Sequence, residues 1–131
     1  MELYLVRHAD AAPGEPDELR TLTPEGRESA RALGEQLAAQ GVHVDAVLTS
    51  PLLRARETGQ TIAAALGCDS EPSDELAFGA TTENLRRAIS GRGETVVAVG
   101  HQPDCGRIAA ELTGGDEPPF PPGGMVRIEV S

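Results

Sequence analysis

Three stretches of this chain end alike. Leu3-Tyr4-Leu5-Val6 runs into Arg7-His8, and Thr95-Val96-Val97-Ala98-Val99 runs into Gly100-His101. Ala46-Val47-Leu48 runs through Thr49 into Ser50-Pro51-Leu52-Leu53-Arg54. Each joins an unbroken apolar run to side chains that bind anions or move protons. Arginine's planar fork matches phosphoryl oxygens and stays charged at any working pH. Imidazole, with an ordinary pKa of about 6.5, can be an uncharged nucleophile near neutrality. Two arginines and two histidines therefore suit attack on phosphorus. His8 would react through one ring nitrogen while the other donates to a backbone carbonyl. Cationic donors around the equatorial oxygens would stabilise the transition state. The competing use is a metal site, with His8, Asp10 and His101 as ligands. Adjacent arginines repel a dication, so no metal is expected.

These groups converge only if the apolar runs are parallel neighbours. Runs of three or four apolar residues read as strands buried on both faces, and ligands bind at the carboxyl edge of such sheets. Helical patterns separate them. Thr23-Pro24 reads as an N-cap with proline in the first turn, followed by Ala30, Leu33 and Leu37 at three-and-four spacing and Gly41 as a stop. Ser50-Pro51 repeats that cap signature before Leu52, Ala55, Gly59, Ile62 and Leu66, which places Arg54 near a helix N-terminus that favours an anion. Residues 67–82 are less regular. Helices are expected at 83–90 and from about 103 to 112, with a Pro/Gly-rich connector at 114–124. Val126, Ile128 and Val130 alternate with Arg127 and Glu129, as an edge strand with one wetter face does. The alternation predicts a three-layer α/β/α sandwich around a mostly parallel sheet, with an antiparallel last edge strand. No repeat or linker divides residues 1–131, so a single domain is expected.

Composition narrows the partners. The formal net charge is −10, and all eleven basic residues are arginine. An acidic chain is a poor binder of nucleic acid or membrane surfaces. No apolar run approaches the ~20 residues of a membrane span, and the first residues read as a strand, not a signal peptide. Cys68 and Cys105 have no metal-ligand spacing and are expected to be reduced and packed, in a cytoplasmic protein. His43 is expected to be exposed, and Arg20 and Arg56 to form surface ion pairs.

Four motifs in order, Leu5-Val6-Arg7-His8, Leu22-Thr23-Pro24-Glu25-Gly26, Ser50-Pro51-Leu52-Leu53-Arg54-Ala55-Arg56-Glu57-Thr58 and Val99-Gly100-His101, resemble the histidine phosphatase superfamily, with its phosphoglycerate-mutase-like fold. They span nearly the whole chain. The resemblance implies a metal-independent, cofactor-independent phosphatase. His8 would be the phospho-accepting nucleophile, with Arg7, Arg54 and His101 binding the phosphoryl group and Glu75, in Asp74-Glu75-Leu76-Ala77-Phe78-Gly79, as the general acid. The superfamily usually has glycine after the nucleophile; here Ala9 is expected to press on the turn or the pocket wall. Length, the Arg-His-x-Asp-Ala start and the run 20–26 are most similar to the small SixA-type phosphohistidine phosphatases. Few residues remain for a cap over the site, which favours a bulky substrate such as a phosphohistidine-bearing protein. The alternatives are a phosphomonoesterase for a small metabolite and a phosphate-binding module without turnover.

Overall fold

The computed structural model describes all 131 residues. Five strands form one sheet: β1 (Glu2–Arg7), β2 (Ala46–Thr49), β3 (Ser70–Pro72), β4 (Thr95–Gly100) and β5 (Met125–Glu129), in the order β3-β2-β4-β1-β5. β1 pairs parallel with β4, β4 with β2, and β2 with β3; β5 runs antiparallel to β1 at the edge. The three strands that end in chemistry are thus the three central ones, β4 lying between the other two. The short edge strand β3 falls in the stretch expected to be irregular. It has no apolar run, and it exists because β2 offers it a free edge to pair with.

Strand side chains alternate between faces, and here both faces are covered. Tyr4, Val6, Val47, Val97 and Val99 pack against α1 (Pro24–Ala39) and α2 (Leu53–Leu66) through Leu37, Ala55, Ile62 and Ala63. Leu3, Leu5, Leu48, Val96 and Ala98 meet α3 (Thr82–Ile89) and α4 (Asp104–Thr113) through Leu85, Ile89, Cys105, Ile108 and Ala109. The result is the three-layer sandwich expected. α1 is capped by Thr23, whose hydroxyl accepts from the Gly26 amide at 3.0 Å. Ser50 does not cap α2: the N-cap position is Leu52, and the Ser50 hydroxyl is used elsewhere. The helix at 83–90 begins slightly earlier, at Thr82, because Thr81 and Asn84 form a reciprocal capping box.

Two glycines record how close the layers come. A Cβ on Gly26 would lie 2.2 Å from the Asp10 carbonyl oxygen, and one on Gly59 would lie 2.2 Å from the Thr49 methyl. Both places admit no side chain, so α1 seats against the segment after β1 and α2 against β2. Cys105 is buried under the sheet, its thiol facing the Val6 carbonyl at 3.7 Å. Burial, helped by the negative charge of Asp104, pushes that thiol's pKa up to about 12.

Candidate active site

His8 follows β1 directly, is only 9% exposed, and has its amide bound to the Gly100 carbonyl of β4 at 2.9 Å. Its Nδ1 lies 2.8 Å from the Ala9 carbonyl oxygen. A carbonyl can only accept, so Nδ1 carries the ring proton and Nε2 is left with its lone pair, an assignment made from the hydrogen-bond network. Nε2 has no partner in the protein and is not among the buried atoms sealed from solvent. Burial lowers the pKa of His8, and Arg54, Arg7 and Arg20 lower it further, against the opposing pull of the Ala9 carbonyl. The ring is therefore neutral near pH 7, which a nucleophilic imidazole requires.

His101 follows β4 and is buried to 1% exposure, with its ring centroid 5.4 Å from that of His8. Its Nε2 sits 2.7 Å from the Ser50 hydroxyl, which itself accepts from the Leu52 amide at 3.2 Å. Its Nδ1 is buried with no partner in the protein. Burial, with the positive field of Arg54 and the neighbouring His8, lowers its pKa to about 4. Phe78 also packs near the ring, centroids 5.6 Å apart.

The arginines complete the cluster. Arg7 donates through Nη1 to the Phe120 carbonyl at 3.1 Å. Arg54, 5% exposed in the first turn of α2, donates through Nη1 to the Asp17 carbonyl at 3.1 Å and meets that residue's carboxylate at 3.3 Å. In both guanidiniums Nε is buried without a partner, while Nη2 has no hydrogen bond and is not sealed from solvent. Of four buried side-chain polar atoms without a partner, three belong to Arg7, Arg54 and His101. Such atoms are rare in folded proteins, and here they cluster on the residues around His8. Cationic donors gathered around a neutral imidazole form a place for an oxyanion beside a nucleophile. No three His, Cys, Asp or Glu side chains are grouped to hold a metal ion.

Residues 3–104 match the model of the histidine phosphatase superfamily (branch 1). The chain belongs to the histidine phosphatase superfamily. It is 32% identical over 127 residues to phosphohistidine phosphatase SixA of Escherichia coli K12, covering 92% of this chain and 79% of that one. An uncharacterized protein of Picosynechococcus sp. is 39% identical over 123 residues, covering 88% and 74%. The solved structure of protein histidine phosphatase SixA complexed with tungstate matches with a TM-score of 0.88 at 28% identity, covering 98% of this chain and 88% of that one.

Glu75 and Ala9 stand in surroundings that the sequence did not predict. Glu75 lies in the 3-10 turn Asp74–Leu76, where its carboxylate accepts from Arg87 at 3.2 Å and from Asn84 at 2.9 Å. Those bonds hold its pKa below the usual glutamate range. A general acid retains its proton to neutrality; here the Glu75 carboxylate is engaged by Arg87 and Asn84. Ala9 does not crowd the site. Its methyl is fully buried beside Leu22 and Ala30, and no non-glycine residue has positive φ.

The residues that support this superfamily site are mostly ones that pattern reading passes over. Thr58 accepts from the Ala9 amide at 3.0 Å and donates to the Arg54 carbonyl at 2.8 Å, tying the His8 turn to α2. Glu57 accepts from the Leu22 amide at 2.8 Å and pairs with Arg27 at 3.0 Å. Asp10 accepts from the Thr23 hydroxyl at 2.9 Å, an anchor for α1. Arg20 pairs with Asp17 at 3.1 Å, whereas Arg56 has no ion-pair partner and His43 is exposed beside Asp45. The motif letters flagged Glu57 and Thr58 without a role; nothing in the sequence flagged Ser50 as the partner of His101.

Proposed function

We propose that this chain is a metal-independent, cofactor-independent phosphohydrolase acting on phosphohistidine-bearing protein through a covalent phosphohistidine at His8. The observation that carries this reading is the free Nε2 lone pair of His8, with Nδ1–H tied to the Ala9 carbonyl among Arg7, Arg54 and His101. In the first step Nε2 attacks phosphorus. The new P–N bond forms as the bond to the substrate imidazole breaks, and that leaving group keeps or takes a proton from solvent. Arg7 and Arg54 neutralise charge on the transferring oxygens, with His101 beside them. Water then attacks phospho-His8, releasing inorganic phosphate and returning His8 to its neutral form. The similarity to SixA, one of whose structures holds the tetrahedral oxyanion tungstate, supports the same reading.

Two features favour the phosphoprotein over a small ester. An alkoxide leaving group needs a strong proton donor, and Glu75 is committed to Arg87 and Asn84. The chain also has few residues beyond its five strands and four α-helices from which to build a cap over His8. A single domain over 1–131 without a large cap suits a bulky substrate. No helix is long and apolar enough to cross a membrane, and the reading places the reaction in the cytoplasm.

The test compares phosphate release from a phosphohistidine-bearing protein and from an aryl phosphate, with chelator present, in wild type and His8→Ala. Chelator-resistant release, fastest from the phosphoprotein and lost in His8→Ala, is expected. Faster release from the aryl phosphate would move the reading to a small-ester phosphatase. Phosphate binding without release from either would leave a binding module.

A further inference from the structure

Asp17 stands in a proline-containing loop far from any motif, yet it is the sole hydrogen-bonding partner of the Arg54 guanidinium. Its carbonyl accepts from Nη1, and one carboxylate oxygen lies 3.3 Å from the same nitrogen as an ion pair; the other carboxylate oxygen accepts from Arg20 Nη1 at 3.1 Å. Arg20 is held in turn by the Ala12 carbonyl at 2.9 Å. One exposed residue thus links the 11–22 loop to two arginines. A carboxylate beside cations that bind an anion invites two opposite accounts. It could occupy the anion's place, or it could hold an arginine so that the anion meets it correctly.

The geometry decides between them. A competing carboxylate would take Nη2, the solvent-facing nitrogen left for an anion. Asp17 takes the far end, Nη1, and leaves Nη2 open to solvent. Nε is sealed without an acceptor, so no bond on the inner side fixes the guanidinium's rotation. Arg7 is held on the same plan, by Nη1 alone, but through the Phe120 carbonyl with no side chain involved.

We infer that Asp17 is a positioning residue that orients Arg54 toward the transferred phosphoryl group, with Arg20 bracing the carboxylate. The inference builds on the reading of Arg54 as a phosphoryl ligand.

Charge makes the test one of sign. Removing a negative group beside two cations would, by Coulomb's law alone, tighten binding of an anion. Loss of orientation would weaken it. Binding of inorganic phosphate and steady-state turnover should be measured for wild type, Asp17→Ala and Asp17→Asn at neutral pH. Asp17→Ala keeps the carbonyl contact but removes the carboxylate from Arg54 and Arg20, and is expected to bind phosphate more weakly and to lose kcat by roughly tenfold, with KM moving less. Asp17→Asn keeps an acceptor oxygen for Arg54 without the charge, and should recover most of both. Tighter phosphate binding in both variants with kcat unchanged would overturn the inference and make Asp17 a competitor. Wild-type values in Asp17→Ala would also overturn it. A wild type that binds phosphate in this pattern without turnover would sink the phosphatase reading and leave the positioning role standing.

Discussion

Two 3-10 turns in this chain carry the same tripeptide, Asp-Glu-Leu, one at 17–19 and one at 74–76. In the second, Leu76 is driven into the core at 3% exposure, which leaves Glu75 outside, against Arg87 and Asn84. In the first no residue is buried; Leu19 is 63% exposed, and the turn is linked to the site by Asp17 on Arg20 and Arg54. An apolar anchor fixes one turn and ionic contact with the site holds the other. Identical residues therefore take unlike roles, and what decides is whether the leucine finds a core to enter.

The sharpest way to break this contrast is to truncate both leucines. Leu76→Ala should cost about 3 kcal/mol of stability, the scale of a buried leucine, and Leu19→Ala no more than about 0.5 kcal/mol in urea unfolding. Equal costs would mean that the two turns are anchored alike.

A second test uses pH, because the segment after the buried turn lays Phe78 against His101. The pKa of His101 is about 4 in the fold, against about 6.5 in an unfolded chain. The unfolded state therefore takes up a proton that the folded state refuses. Stability should be fully present above pH 6.5 and fall by about 3 kcal/mol as pH drops to about 4. Lowering of the His8 pKa acts in the same direction. Thermal melts across that window should flatten in His101→Asn; an unchanged slope would assign the loss to other groups.

The third test separates the acids and their arginines by function. Arg54→Ala should lose about 2 kcal/mol of transition-state stabilisation, read in kcat/KM, as a charge-assisted contact disappears. Glu75→Gln should change turnover by no more than about twofold, since its partners lie on α3. A Glu75→Gln loss as large as that of Arg54→Ala would restore Glu75 as the proton donor.

Much of the site was legible because it sits where apolar runs stop. Arg7-His8 and Gly100-His101 end buried strands, and their convergence follows once β1 and β4 are parallel neighbours. Arg54 was legible from its place at a helix start. The remainder depends on contacts that no local pattern encodes. The role of Ser50 is set by His101, fifty-one positions away, not by the helix it precedes. Phe120 contributes a carbonyl, which any residue could supply. β3 lacks an apolar signature because its strand character comes from its neighbour. Glu75 fits the expected segment, but Arg87, twelve residues on, decides its protonation. Asp17 lies in a loop without periodicity, and only the folded chain brings it to Arg54.

The buried thiol beneath β1 bears on how such an enzyme meets oxidative stress. Hydrolases that attack with cysteine keep a thiolate at neutral pH, which peroxide converts to sulfenic acid. Here attack is assigned to an imidazole, and Cys105, with its pKa pushed up to about 12, stays protonated behind the sheet. Burial also raises the pKa of half-buried Cys68. An oxidant that silences thiolate chemistry finds no switch to throw in this fold.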